Sequence, residues 1–252
     1  MQEPLKSFYD QKYDHEKGSS VIQPIRPVKT PVTRFEAVVR YFPQFFKGGE
    51  VLELASGDGI VAQSLIHSCQ EITSFTATEF SLPRLENLKK NLRDSRLRVM
   101  VADAENLADD ELGQYDAIIM VALIEHLIDP LGAMRNIRKL LKPGGFVYID
   151  TPNIALFTRR IKLLLGQFPS TSSLNEGLTT YYGERVSLYD EGHLHYFTYR
   201  SLSLMLTQWC GFSRIVRLGY PSGRIILGKS IQHFLAQLWP GLFSEVVLLA
   251  YA

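Results

Sequence analysis

The stretch EVLELASGDG, Glu50 to Gly59, decides the fold. Val51, Leu52 and Leu54 make a short apolar run that ends in Ser56 and Gly57-Asp58-Gly59. Such a run reads as a buried strand that opens into a tight turn. A helix over Ile60–Ser68 follows. Outward from here the alternation repeats. Thr73–Thr78 is a β-branched strand that ends at Glu79. Leu82–Leu92 is an amphipathic helix with Leu85, Leu88 and Leu92 three and four apart. Leu97–Asp103 and Tyr115–Ala122 are the third and fourth strands. The helix Leu131–Leu141 is halted by Lys142-Pro143-Gly144-Gly145, and the fifth strand, Phe146–Asp150, is closed by Thr151-Pro152-Asn153. Five strands separated by helices predict a parallel sheet, because the crossovers lay helices on both of its faces.

The tail departs from that rhythm. Thr198–Cys210 reads as a helix, Ser213–Gly219 and Glu245–Tyr251 as strands, and Arg224–Trp239 as an apolar-rich helical stretch. Met1–Phe46 precedes the sheet. Ile154–His195 separates the fifth strand from the next helix, and so long a connection reads as a lid or a substrate-binding insertion.

Composition bounds the chemistry. The chain has 252 residues, 46% of them apolar, with 27 Lys+Arg against 26 Asp+Glu. That is one domain with insertions, too hydrophobic for wholesale disorder. A net charge of +1 argues against a broad polyphosphate-binding face, and no nucleic-acid partner is expected. Cys69 and Cys210 are far apart, with no CxxC, so no disulfide framework and no thiolate zinc site is expected. They read as reduced core thiols of a cytoplasmic protein. The polar start MQEPLKSFYDQKYDHEKGSS does not read as a signal peptide, and none is expected. The longest apolar stretch, Ala117–Ile124, is broken at Glu125 and His126, well short of the ~20 residues of a membrane span.

Open α/β sheets bind ligands beyond the carboxyl ends of their strands. Ala55, Gly57 and Gly59 are small enough for a ligand to lie against the backbone there. Glu79, twenty residues past Gly59, stands where an acid accepts both hydroxyls of a ribose. This much fits any nucleoside-binding fold, a nicotinamide enzyme included. Asp103, in Val101-Ala102-Asp103-Ala104-Glu105, is placed to accept the exocyclic amine of an adenine.

Together with Tyr115–Leu127 and Leu140–Gly145, these segments resemble class I S-adenosylmethionine-dependent methyltransferases, in particular the branch typified by ubiquinone-biosynthesis O-methyltransferases. The resemblance is strong over 48–153 and weaker over 193–219 and 244–252. It implies a Rossmann-like, seven-stranded, mostly parallel sheet with helices on both faces and helical lid insertions. Its antiparallel last strand, Glu245–Tyr251, would slot between the fifth and sixth. Residues 1–46 would be a helical cover of the active site. Residues 47–252 would be the methyltransferase domain, carrying insertions at 154–195 and 222–241.

By the same resemblance, Glu53 and the backbone of Ala55, Ser56, Gly57 and Gly59 would surround the methionine part of the cofactor. Ala55 stands where the family has its first glycine. Glu79 would hold the ribose, with Phe80 flanking the adenine. Asp103 would take the adenine amine beside Ala104, and Met120 and Val121 would offer carbonyls to the ammonium. Asp58 reads instead as a turn or helix-cap residue.

The acceptor side is less determined. His126, His193 and His195 are the candidate catalytic groups, since imidazole is the commonest base near neutral pH. For each, a packing or capping role stays open. His193 and His195 would share one face of a strand beside Asp190 and Glu191, which is also metal-binding chemistry. The resemblance favours a pocket lining there, and no metal is assigned. Tyr9 and Tyr13, in the segment Phe8–Tyr13, either cover the pocket or pack a helix on the sheet. Arg159, Arg160 and Lys162 and the stretch Arg224–Trp239 read mainly as a solvated lid helix and core packing; contact with a peripheral membrane surface stays open. The expected activity is methyl transfer to a small-molecule acceptor, most simply to a hydroxyl, by a monomer or homodimer. A non-catalytic cofactor-binding regulator and a nicotinamide oxidoreductase are the competing readings.

Overall fold

Seven strands make one sheet in the order β3-β2-β1-β4-β5-β7-β6. The computed structural model describes residue 10 and residues 22–91, 93–107, 113–172, 189–222 and 228–252. The expectations for Tyr9 and Tyr13, for Arg224 and for residues 173–188 of the long insertion lie outside the described residues. β1 (Gly49–Leu54) is central, with β2 (Ile72–Glu79) and β4 (Tyr115–Val121) parallel to it on either side. β3 (Leu97–Val101) extends the sheet beyond β2, and β5 (Leu141–Pro152) extends it beyond β4. β7 (Glu245–Tyr251) lies antiparallel between β5 and β6 (Arg214–Leu218), as the resemblance implied.

The middle strands are apolar at successive positions because both faces of the sheet are covered. Leu52, Ile118, Ile119 and Met120 are all fully buried. On one face α1 (Arg34–Phe45) and α2 (Ile60–Ser68) pack through Val38, Phe42, Val61 and Leu65. On the other, α4 (Pro130–Lys139) and α6 (Tyr199–Leu204) pack through Met134, Ile137, Leu202 and the following Leu206. α3 (Leu82–Asn91) joins the first face through Leu88. α5 (Phe157–Leu164) leads out of β5 into the insertion, and α7 (Lys229–Leu238) lies between β6 and β7. α7 comes close enough to Gly219 that a Cβ there would lie 2.0 Å from the Ala236 carbonyl oxygen.

Element boundaries shift where side chains compete with the backbone. β3 stops at Val101, two residues early, because the Asp103 carboxylate accepts the Glu105 amide (2.9 Å) and the Asn106 side-chain amide (3.1 Å) and turns the chain. α4 ends at Lys139, and Leu141 already pairs with Tyr115. The helix expected over Thr198–Cys210 is α-helical only to Leu204 and widens into a π turn over Met205–Trp209, where the Cys210 amide reaches the Met205 carbonyl at 3.2 Å. No described helix is long and apolar enough to cross a membrane. The sheet reverses direction of winding between β1 and β4. In an open α/β sheet a ligand crevice opens at such a switch point.

Candidate functional site

A cavity of about 450 Å³ occupies that crevice, beyond the carboxyl ends of β1 to β4. Of the residues assigned to a cofactor, Glu53, Ala55, Ser56, Gly57, Glu79, Phe80, Asp103, Ala104 and Val121 line it. Gly59 and Met120 do not: Gly59 starts α2 in a left-handed conformation, and Met120 is wholly buried in the sheet.

The turn after β1 is held open by its backbone. Ala55, Gly57 and Gly59 have φ values of 55°, 57° and 92°. Glycine adopts this left-handed region freely, whereas a Cβ costs about 1–2 kcal/mol there. Ala55, where the family has glycine, therefore carries strain at the cavity wall. Asp58 accepts the Ile60 amide at 3.3 Å, the turn-capping role read from the sequence, and also borders the cavity.

Glu79 does more than its expected role. Its carboxylate accepts the Gly57 amide (2.9 Å) with one oxygen and the Phe80 (2.8 Å) and Ser81 (3.0 Å) amides with the other. It thereby ties the β1 turn to the start of α3. Burial raises its pKa, and these amides and Arg84 oppose the rise. Glu53 is the opposite case. It is 3% exposed, and its Oε2 has no hydrogen-bond partner. Burial pushes its carboxyl up to about 8; Ser56 opposes this, and the Asp58 and Glu79 charges add to it.

Arg34, Phe35, Leu123, His126 and Leu127 also line the cavity. Arg34 and Phe35 open α1, and their part in the site was not foreseen. The available signal was the capping box at that helix start, in which Thr33 Oγ1 accepts the Glu36 amide and the Glu36 carboxylate accepts the Thr33 amide. Arg34 donates to Glu245 at 3.2 Å. Burial works against its charge, but Asp150, Glu245 and Glu125 outweigh that and hold it charged.

The histidines separate. Glu125 sits in a 3₁₀ turn, Ile124–His126, and its carbonyl accepts the amides of Leu194 (2.8 Å) and His195 (3.1 Å). That clamp draws the end of the long insertion against β4. His126 lines the cavity, and its Nδ1 donates to the Gly192 carbonyl at 3.1 Å. The His193 ring meets the His126 ring edge-on, with centroids 4.7 Å apart. His195 points elsewhere: its Nε2 lies 3.3 Å from the Ile128 carbonyl, and it does not line the cavity.

Asp190, fully buried with φ 47°, anchors the loop. It accepts from Ser170, Ser172 (2.7 Å), Thr171 (3.0 Å) and Tyr196 (3.1 Å). Burial would raise its carboxyl, but these donors win and hold it down at about 2. The Glu125 carboxylate, 1% exposed, accepts from Thr151 at 2.8 Å through Oε2, while Oε1 has no hydrogen-bond partner. Burial raises this carboxyl to about 7 against the opposing charge of Arg34.

Known proteins share this architecture. A family profile described as a methyltransferase domain matches residues 31–213. The ubiquinone biosynthesis O-methyltransferase of Bordetella avium (strain 197N) is 32% identical over 109 residues, which is 42% of this chain and 44% of that protein. Its counterpart in Acinetobacter baumannii (strain ACICU) is 30% identical over 108 residues, 42% of this chain and 45% of that one. The match therefore spans under half the length of these curated relatives. Among solved structures, a SAM-dependent methyltransferase from Archaeoglobus fulgidus superposes with a TM-score of 0.56 at 14% identity, covering 86% of this chain and 92% of that one. The N-terminal domain of EvdMO1, solved in the presence of SAH and D-fucose, superposes with a TM-score of 0.58 at 17% identity, covering 100% of this chain and 97% of that one. These structures share its fold. With the profile covering most of the chain, from just before α1 through the first five strands and α6, the chain belongs to the methyltransferase-domain family.

Proposed function

We propose that the chain binds S-adenosylmethionine in the cavity and transfers its methyl group to a hydroxyl of a small-molecule acceptor. The observation that carries this reading is the buried carboxyl of Glu53, whose Oε2 has no hydrogen-bond partner, in one cavity with the carboxylates of Glu79 and Asp103. The fit is specific in chemistry. Glu53 supplies an acid for an ammonium, the left-handed turn at Ala55–Gly57 leaves room for a chain against the backbone, and Glu79, with Oε1 taken by two amides and Oε2 by one, keeps a lone pair on Oε2 for a hydroxyl. Asp103 and Phe80 supply an acceptor and an aromatic face for a base. A volume of about 450 Å³ lies within the roughly 300–1,000 Å³ of small-molecule sites.

When bound, the cofactor supplies an activated methyl on a sulfonium. The chain's own task is to align an acceptor and exclude water, which alone can supply several kcal/mol of a barrier. Arg34, Phe35, Leu123 and Leu127 wall the acceptor end. The Gly192 carbonyl holds the His126 proton on Nδ1, so Nε2 carries the basic lone pair. His126 is thus the group in the cavity suited to take a hydroxyl proton, with His193 packed against it. His195, bonded to Ile128, does not reach the cavity and is the weakest of the three candidates.

A second surface goes with this reading. α5 exposes Phe157, Leu163 and Leu164, and α7 exposes Phe234 and Leu238, with Trp239 just beyond it. Arg160 donates to the Gly241 carbonyl at 3.0 Å, tying α5 to the turn that follows α7. Between Glu191 and Glu245 the sequence has no acidic residue. Apolar helix faces beside the basic Arg160, Lys162 and Lys229 suit contact with an anionic lipid surface.

Incubation with methyl-labelled S-adenosylmethionine and a fractionated metabolite pool tests the activity. Label is expected in a hydroxyl-bearing small molecule. Retention of all label in the cofactor, with cofactor still bound, would leave the protein a non-catalytic binder.

A further inference from the structure

We propose that the outer edge of β6 and the flank of α6 form a docking groove for an acidic, extended segment of a partner protein, which joins the sheet beside β6. β6 is an end strand: it pairs with β7 and, among the described residues, with no other strand. Its outer edge therefore offers unpaired amides and carbonyls, a template for another chain. A groove of about 500 Å³ lies at that edge. One wall is a stripe of α6 and the π turn after it, Arg200, Ser203, Leu204 and Thr207, spaced three and four apart. The other wall carries Arg214, Ile215 and Arg217 of β6. None of these residues lines the cavity beyond β1 to β4, so the groove stands apart from the methyl-transfer reading.

Three observations define the chemistry of the occupant. The first is charge. Arg200, Arg214 and Arg217 are exposed, and among the described residues none of them has an ion-pair partner. Arg214 lies over the Tyr251 ring, 3.8 Å from its centroid, a contact that holds the guanidinium at the edge without neutralising it. Arg135 and Arg138 of α4 extend the field, donating to the carbonyls of Trp209 (2.9 Å) and Gly211 (3.3 Å). The whole chain carries only +1, so this excess is local. The second is the state of the hydroxyls. Ser203 donates to the Tyr199 carbonyl, and Thr207 to the Ser203 carbonyl at 2.9 Å. With those protons spent on the helix, the guanidinium groups and the strand edge are the donors left for a ligand. The third is apolar surface. Exposed Leu204 and half-buried Ile215 line the same groove. A phosphate backbone sets nothing against them, whereas a strand that mixes acidic and apolar side chains matches both parts of the wall.

A second copy of this chain does not fit the edge. Pairing β6 with β6 would set arginines against arginines, and like charges placed opposite one another destabilise a strand pair. The same charges that blunt self-association favour an acidic strand. In such an addition the backbone bonds give affinity and the side chains give selectivity.

Fluorescence anisotropy of the full chain with a labelled, end-capped peptide of alternating glutamate and valine, about six residues long, tests this. Saturable binding is expected at low salt, weakening as salt is added. Arg200→Glu combined with Arg217→Glu should weaken it about tenfold or more, the scale of lost charged hydrogen bonds. The melting temperature of that variant should stay close to the parent's, since both side chains are exposed. A peptide with proline in place of valine keeps the charge but lacks those amides, and it should bind about tenfold more weakly or worse. A lysine–valine peptide should not bind. Absence of saturable binding by the glutamate–valine peptide, or unchanged affinity in the double variant, overturns the proposal. Equal binding of the proline peptide would leave charge attraction alone and overturn strand addition. Inorganic polyphosphate that binds more tightly than the peptide and displaces it would assign the groove to a phosphate polyanion and overturn the acidic-segment reading.

Discussion

If Glu53 receives the ammonium of the cofactor, binding must release a proton near neutral pH. The group is buried, has an unpartnered oxygen, and is pushed from its ordinary 4.5 to about 8 by burial. In the free protein at pH 6 only about 1% of such a group is ionised, and about half at pH 8. An ammonium against Oε2 favours the ionised form. Affinity for S-adenosylhomocysteine should then rise about fiftyfold between pH 6 and pH 8, the ratio of the two ionised fractions. The proton uptake of the calorimetry buffer gives an independent count, approaching one proton released per ligand at pH 6.5. In Glu53→Gln the pH dependence should disappear and the affinity stay at or below the pH 6 value. Stability runs in the same sense. A carboxyl raised by folding binds its proton in the native chain but not in the unfolded one, so the unliganded protein loses stability as pH rises from 4.5 towards 8. Glu53→Gln should remove that group's share of the slope and leave the share of Glu125, whose carboxyl is also raised, to about 7. Affinity independent of pH from 6 to 8 in the parent chain, or the same rise in Glu53→Gln, would refute the reasoning.

Three further outcomes follow. Asp103→Ala should weaken S-adenosylhomocysteine binding at least tenfold in calorimetry, the scale of one lost charged hydrogen bond, with little change in melting temperature because Asp103 supports only a local turn. Glu79→Ala should weaken binding and also lower the melting temperature, since it strands the Gly57, Phe80 and Ser81 amides; equal melting temperatures would show that the brace is unimportant. Co-sedimentation with phosphatidylglycerol vesicles should exceed that with phosphatidylcholine and fall with added salt. Leu164→Ser combined with Trp239→Ser should abolish it, and equal recovery on both lipids would remove the anionic-surface reading.

The sheet was legible because its signals are local. Runs of five to eight residues, four of the five ending at Gly, Asp or Glu, mark the strands and their carboxyl ends at once, and Glu53, Glu79 and Asp103 fall at three of them. The position of β7 was legible only through the resemblance, since nothing in EVVLLAY states which strands it pairs with. The acceptor end was harder to read because its residues meet over long separations. Arg34 reaches Glu245 across 211 positions, and His126 reaches Gly192 across 66. His193 and His195 share one strand-like spacing in sequence, but the Glu125 clamp and the Asp190 anchor send one to the His126 ring and the other to the Ile128 carbonyl. The brace formed by Glu79 was hidden for another reason. A carboxylate's backbone partners depend on turn geometry, which a residue string does not encode.

Calorimetric titration of the full chain with S-adenosylhomocysteine and, in parallel, with NAD tests the central reading most directly. One saturable site for S-adenosylhomocysteine, with no measurable NAD binding and with loss of at least tenfold in Asp103→Ala, is the expected result. Saturable NAD binding without S-adenosylhomocysteine binding, or affinity unchanged in both Asp103→Ala and Glu79→Ala, would contradict it.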